Sequence, residues 1–279
     1  MKALVVFSGG QDSTTCLYLA IQQYKRANVA ALTINYGQRH QAELTAASRI
    51  ATFARVTHEI VEIGPNILKG SSPLVSKEKL EEYTDYNSLP GGLEKTFVPM
   101  RNQLFLTIAA NRAINADCNE IWTGVSQEDY GGYPDCRTKF IDSFERTVIA
   151  GSPTTPGMVT KENGETEEGE IPLDFKVVTP LMYKSKMLTV QAAMELPLCY
   201  EALSLSHTSY GGEYPPTGKD HASLLRAKGF EKANIPDPLV LRAYLEDKMK
   251  LPDTKNYRSD RLIIYLPRIE AVLGRNVDD

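Results

Sequence analysis

The chain has 279 residues, 42% hydrophobic and 24% charged, which suits one large α/β domain or two small ones and excludes wholesale disorder. Its 31 basic and 35 acidic residues leave a formal charge of −4, so there is no basic footprint for non-specific nucleic-acid binding. The four cysteines (Cys16, Cys118, Cys136 and Cys199) are far apart with no CxxC pair, which argues against a disulfide framework and against a cysteine zinc site.

The chain starts directly in an apolar, β-branched run, residues 3–7 (ALVVF), the pattern of a strand buried on both faces of a parallel sheet. A glycine turn follows, and residues 13–26 put Leu17, Ala20, Ile21 and Tyr24 at helical spacing. Residues 29–34 read as a second buried strand, 40–55 as a second helix and 57–63 as a third strand. After a loop-like stretch at 64–97 comes a long helix at about 101–116, with Leu104, Phe105, Ile108 and Ala109 expected inward. Residues 120–125 give a fourth strand, 137–149 a helix and 175–180 a fifth strand. Strands alternating with helices predict a Rossmann-like, doubly wound parallel sheet of about five strands with right-handed crossovers. Residues 151–170, rich in Gly, Pro and Thr and then acidic, read as a solvated loop, either a lid or a passive insertion. Residues 207–223 are irregular, and the last forty residues look helical, packing on the sheet or on a partner subunit. The expected division is therefore 1–200 and a C-terminal irregular and helical region at 201–279. No apolar run reaches membrane length and no leader pattern is present, so a soluble, cytoplasmic protein is expected.

Ser8-Gly9-Gly10-Gln11-Asp12-Ser13 lies between the first strand and the first helix, at the sheet edge where ligands collect in open α/β folds. Two glycines bring backbone N–H groups close to an anion, and the helix N-terminus adds further donors. The lysine and spacing of a Walker A loop are absent, as is GxGxxG. The plainer alternative is a tight turn capped by Asp12 or Ser13, without a ligand.

This SGGxDS loop resembles the pyrophosphatase loop of the N-type ATP pyrophosphatases, which split ATP into AMP and pyrophosphate while adenylating an oxygen of their substrate. With INYGQRHQAEL (34–44), FVPMRNQLFL (97–106), GVSQEDYGGYPDCR (124–137), TPLMYKSKML (179–188) and RAKGFEKANIPDP (226–238), the chain is similar to the QueC family over about residues 4–238. The resemblance implies an adenine nucleotide alpha hydrolase-like fold and a ligase forming carbon–nitrogen bonds. Such enzymes adenylate 7-carboxy-7-deazaguanine with ATP, let ammonia form the amide, and dehydrate the amide to the nitrile, preQ0, in queuosine biosynthesis. ATP and Mg²⁺ are the implied cofactors, a homodimer the implied assembly, and no membrane or nucleic acid is an implied partner. On the matched motifs, Phe7, Ser8, Gly9, Gly10, Gln11, Asp12, Ser13, Thr14 and Thr15 would hold ATP, with Asp12, Arg101 and Lys186 in catalytic positions. Tyr36, Arg39, His40, Asn102, Asp129, Tyr130, Tyr133, Asp135 and Arg137 would line the substrate site. Asp129 and Asp135 would accept from a guanine-like edge or hold Mg²⁺, Tyr130 and Tyr133 would stack on the ring, and Arg137 would face the carboxylate. Taken alone, Tyr133-Pro134 reads equally as a turn, Arg137 as a surface ion pair and His40 as a helix cap.

One departure is large. The family's C-terminal zinc cysteines fall on His207, Thr217, Asp220 and Ser223, so the soft thiolates are gone. His207, Asp220 and His221 offer donors, yet two are adjacent and no fourth ligand presents itself, so zinc is not expected. This leaves the ATP loop untouched but opens an alternative: a ligase stopping at the amide, or joining the deazaguanine acid to another amine, including one on a peptide or protein. A non-catalytic nucleotide-binding relative is disfavoured by the intact phosphate loop. A tRNA thiolation enzyme is disfavoured by the acidic balance and the absence of a catalytic cysteine pair.

Overall fold

A computed structural model describes residues 1–37, 41–64, 67–70, 72–76, 80–89, 92–127, 132–161 and 164–274. Strands β1 (Ala3–Val6), β2 (Val29–Asn35), β3 (Thr57–Glu62), β4 (Glu120–Thr123) and β7 (Lys176–Val178) form one sheet in the order β3-β2-β1-β4-β7. Every pairing in it is parallel, in registers such as Ala3 opposite Val29, Leu4 opposite Ile121 and Ile121 opposite Val177. This is the doubly wound α/β architecture that the alternating pattern predicts.

The central strand shows why both faces must be covered. Successive side chains of a strand point to opposite sides. Ala3, Val5 and Phe7 join a core with Leu17 of α1 (Gln11–Tyr24) and Ile50 of α2 (Ala42–Ala54). Leu4 joins a second core with Leu106 and Ala109 of α3 (Arg101–Asn115) and Phe144 of α4 (Thr138–Ala150). On α3 the most buried positions are Leu106, Ala109, Ala110 and Ala113, one step round the helix from the face expected. The displacement leaves Phe105 facing the cavity described below.

The remaining helices are α5 (Lys186–Glu195), α6 (Cys199–Leu203), α7 (His221–Ala233), α8 (Pro238–Leu245) and α9 (Ser259–Leu273). Tyr200, Phe230, Leu241 and Ile269 belong to the same core as Ala3 and Val5, so these helices pack on the sheet. Residues 151–170 are not a loop. Strands β5 (Thr155–Thr160) and β6 (Thr166–Ile171) pair antiparallel into a separate hairpin. Its glycines are set by packing: a Cβ on Gly157 would strike the Ile171 side chain, and one on Gly169 would lie 2.6 Å from Val159. They make room for neighbours across the hairpin rather than marking an unstructured chain.

Candidate active site

The loop Ser8–Ser13 closes on itself at the carboxyl end of β1. The Ser8 N–H donates to Ser13 Oγ (3.3 Å), the Gly10 N–H to Ser8 Oγ (3.4 Å), and Ser13 Oγ to the Gly10 carbonyl (3.2 Å). Gly10, not Asp12 or Ser13, is the N-cap of α1, and no side chain caps it. The helix therefore begins two residues earlier than its apolar spacing suggests, and its first-turn N–H groups have no intrahelical acceptors. Gly9 is left-handed at φ +77°, and a Cβ there would lie 2.6 Å from the backbone nitrogen of Ala47 in α2. A Cβ on Gly124, just beyond β4, would lie 2.8 Å from the backbone of Asp12. Bare backbone is thus needed on both sides of the loop for α1 to start where it does.

Lys186 opens α5 and donates from Nζ to Asp12 Oδ2 at 2.5 Å. It reaches the loop because α5 and α7 cross closely at Gly229, where a Cβ would lie 2.8 Å from Lys186 Cβ. Loop and lysine share a cavity of about 380 Å³ with Tyr36, Arg101, Asn102, Phe105 and Tyr133. That volume is in the range of small-molecule sites.

The far end of the cavity is aromatic and charged. Tyr36 and Phe105 meet at 5.2 Å between ring centroids. Tyr133 stacks on Phe97 at 5.6 Å and donates its hydroxyl to Glu94 Oε2 at 2.9 Å. Arg101, at the start of α3, lies among Tyr36, Tyr133, Tyr210 and Asp135. Burial acts to lower its pKa, but these four acidic groups outweigh burial and raise it, so the guanidinium is a fixed positive charge. Burial pushes the Glu43 and Asp135 carboxyls up, against the pull of Arg101. Burial also raises the Tyr36 and Tyr210 hydroxyls.

Of the residues singled out from sequence, Phe7, Ser8, Gly10, Gln11, Asp12, Ser13, Tyr36, Arg101, Asn102, Tyr133 and Lys186 line this one cavity. Gly9, packed against α2, does not, and neither do Thr14 and Thr15. The two threonines are fully buried in α1, where Thr15 Oγ1 donates to the Gln11 carbonyl at 3.0 Å. Asp135 lies behind the wall, accepting the Asn102 N–H at 3.4 Å, so it orients Asn102 rather than lining the cavity. Arg137 is the N-cap residue of α4 and donates to the carbonyl of Gly132, a cavity residue, at 3.2 Å, but does not itself line the cavity. Arg39, His40, Asp129 and Tyr130 lie outside the described residues.

Glu43, Thr208, Tyr210 and Arg226, none of them singled out from sequence, line the cavity, and so do His207 and His221, read above only as possible metal donors. Glu43 sits inside the quoted YGQRHQAEL stretch, so a polar residue in the first turn of the helix after β2 was the available signal. Arg226 is buried, bonded to both Asp237 carboxylate oxygens at 2.7 and 2.8 Å and to Ser206 Oγ at 2.7 Å.

The four positions where the resemblance would place zinc cysteines make hydrogen bonds of their own. His207 Nε2 donates to the Ser209 carbonyl at 2.8 Å, and Thr217 Oγ1 accepts the Lys219 N–H at 3.4 Å. Asp220 caps α7, accepting the Ser223 N–H at 3.0 Å and Ser223 Oγ at 2.7 Å. Among the described residues no three His, Cys, Asp or Glu side chains converge on a metal position. These residues do not fit a zinc ion.

The family described as "Queuosine biosynthesis protein QueC" matches residues 2–234. A "7-cyano-7-deazaguanine synthase" from Gloeobacter violaceus is 43% identical over 241 residues, covering 85% of this chain and 95% of the relative. Another of that name from Chromobacterium violaceum is 41% identical over 249 residues, covering 88% of this chain and 95% of the relative. Among solved structures, the tRNA thiolase NcsA from Methanococcus maripaludis aligns over 95% of this chain and 81% of its own at 16% identity, with a TM-score of 0.40.

Proposed function

This chain belongs to the QueC family, and we propose that it makes 7-cyano-7-deazaguanine (preQ0) from 7-carboxy-7-deazaguanine, ATP and ammonia. The observation that carries this reading is the shared cavity, with a phosphate loop and lysine at one end and an aromatic wall around Arg101 at the other. The triphosphate lies against the first-turn N–H groups of α1 and Lys186 Nζ. The planar deazaguanine lies among Tyr36, Phe105 and Tyr133.

A carboxylate is a poor electrophile because its oxygen leaves badly. Its oxygen attacks the α-phosphorus of ATP, the bond to the β-phosphate oxygen breaks, and pyrophosphate departs. Lys186 and the loop N–H groups neutralise that departing charge, a stabilisation that grows toward the transition state. Ammonia then attacks the acyl carbon, AMP leaves with the electron pair, and the nitrogen loses a proton to give the amide. A second adenylation, on the amide oxygen, turns that oxygen into a leaving group, and loss of AMP and two protons gives the nitrile. When bound with ATP, Mg²⁺ supplies charge neutralisation on the phosphates. It takes hard oxygen ligands, and the Asp12 carboxylate at the loop is the side chain that fits it. No step is assigned to zinc.

A second reading rests on the replaced cysteines: the chain stops at the amide, or passes the acyl group to another amine, including one on a peptide or protein. Mass spectrometry of products from 7-carboxy-7-deazaguanine, ATP, Mg²⁺ and ammonium tests both. The nitrile with two AMP per product supports the first reading. Amide alone, or an adenylate trapped until another amine is supplied, supports the second. Absence of pyrophosphate release overturns both.

A further inference from the structure

Glu94 is a carboxylate only 6% exposed, and it does not line the cavity. A buried carboxylate costs several kcal/mol unless donors surround it. Here one oxygen, Oε2, receives Tyr133 OH at 2.9 Å and Thr96 Oγ1 at 2.7 Å, and lies 3.4 Å from His221 Nδ1. Tyr133 and His221 both line the cavity. The two therefore reach the ligand space from opposite parts of the chain and are held from behind by one carboxylate.

The surroundings make this a rigid arrangement. The stretch 80–89 docks against the turn before α7, the Tyr83 N–H donating to the Lys219 carbonyl at 2.8 Å and Lys219 Nζ to Glu82 Oε2 at 3.2 Å, and Lys95, next to Glu94, pairs with Glu81 of that stretch. The Tyr133 ring is backed by Phe97, and its hydroxyl is also 2.6 Å from Thr96 Oγ1, so the hydroxyl is held at both neighbours. His221 Nδ1 stands at ion-pair distance from the same carboxylate oxygen, and with its side chain 4% exposed the ring is held there by burial.

We propose that Glu94 is a positioning residue for the planar, deazaguanine-like substrate, holding Tyr133 and His221 as one preformed wall of its subsite. The proposal rests on the function proposed above. It separates the ends of the cavity: Glu94 serves the base-binding end, and the phosphate loop with Lys186 serves ATP. Preorganisation of this kind acts on binding of the ring and leaves the loop chemistry alone.

The test is calorimetry on the full chain with 7-carboxy-7-deazaguanine and, separately, with ATP, together with kcat and KM from pyrophosphate release. Glu94→Gln keeps the shape and removes the charge. It is expected to weaken acid binding about tenfold, the worth of one charge-assisted hydrogen bond, with ATP affinity and kcat within about twofold. Tyr133→Phe leaves the carboxylate its Thr96 and His221 partners, reads the same contact and should give a similar loss. The double variant should lose no more than the worse single one, because both act through one contact. Unchanged acid affinity in Glu94→Gln, or equal losses for acid and ATP, overturns the proposal. A wild-type protein that binds ATP but not the acid overturns the proposed function, and this inference with it, by a result no variant is needed to see.

Discussion

Gly9→Ala is the sharpest test of how the phosphate loop is held. The new Cβ would lie 2.6 Å from the Ala47 nitrogen, about 0.8 Å inside ordinary contact, and the three nearest atoms are all backbone. The residue also keeps φ +77°. The left-handed conformation costs a non-glycine residue roughly 1–2 kcal/mol. Forcing an atom into a packed site adds about 1–3 kcal/mol. Gly64→Ala separates the two effects, since Gly64 has φ +76° and nothing within 4 Å of its Cβ position. Urea unfolding at constant slope should show Gly64→Ala losing about 1 kcal/mol and Gly9→Ala about 3 kcal/mol. Relief of the clash moves the loop away from α2 by a sizeable fraction of an ångström. Misplacement on that scale costs about 10²-fold in kcat/KM for pyrophosphate release, carried by the ATP terms. Equal stability losses for the two variants, or full activity in Gly9→Ala, would refute the close-packing account of the loop.

Lys186→Met should lower kcat/KM for ATP by roughly 10- to 100-fold in a pyrophosphate assay, the worth of a charge-assisted hydrogen bond; unchanged values would remove Lys186 from the phosphate site. Native-state alkylation followed by mass spectrometry should modify Cys136, which lines the cavity, and ATP with the acid should protect it. Cys16 and Cys199 should stay unmodified, because burial both shields their thiols and raises them far above the ordinary value; labelling there in folded protein would contradict the packing. Burial works to raise Glu246, but hydrogen bonds from Lys248, Arg242 and Tyr214 outweigh it and hold the carboxyl at about 2 against an ordinary 4.5. A lowered folded-state pKa stabilises above the unfolded value, so wild type should exceed Glu246→Gln in stability above pH 4.5 and lose the advantage as pH falls toward 2. A gap that persists undiminished down to pH 2 would contradict this sign.

The parts of the fold legible in the sequence are those whose cause is local. The buried strands at 3–7 and 29–34 announce themselves because a parallel sheet covered on both faces needs unbroken apolar runs. The Ser8–Ser13 turn is legible because its two glycines sit between such a strand and a helix. The hairpin at 155–171 was not, because its glycines answer to side chains across the turn. Glu94 lies in a stretch with no periodicity at all. What gives it meaning is Tyr133 and His221, 39 and 127 positions away, brought to it by tertiary packing alone. Arg137 shows the opposite failure. Its motif neighbours Tyr133 and Cys136 line the cavity, but Arg137 is the N-cap residue of α4 and its side chain turns back to Gly132.

Capping and a buried ion pair tie the chain between Leu203 and Asp237 beside the cavity. Asp220 starts α7, His207 fixes the 207–209 turn and accepts its place from the phosphate loop, its N–H donating to the Gly9 carbonyl at 3.1 Å. Arg226, one turn into α7, then joins Ser206, Thr208, the Leu203 carbonyl and Asp237. Breaking a buried pair of this kind by removing one partner costs about 3–5 kcal/mol, comparable with the loss of a strong cross-link. His207 and Arg226 both line the cavity as well. These ties are therefore part of the cavity wall itself, and His207 joins that wall to the loop at Gly9.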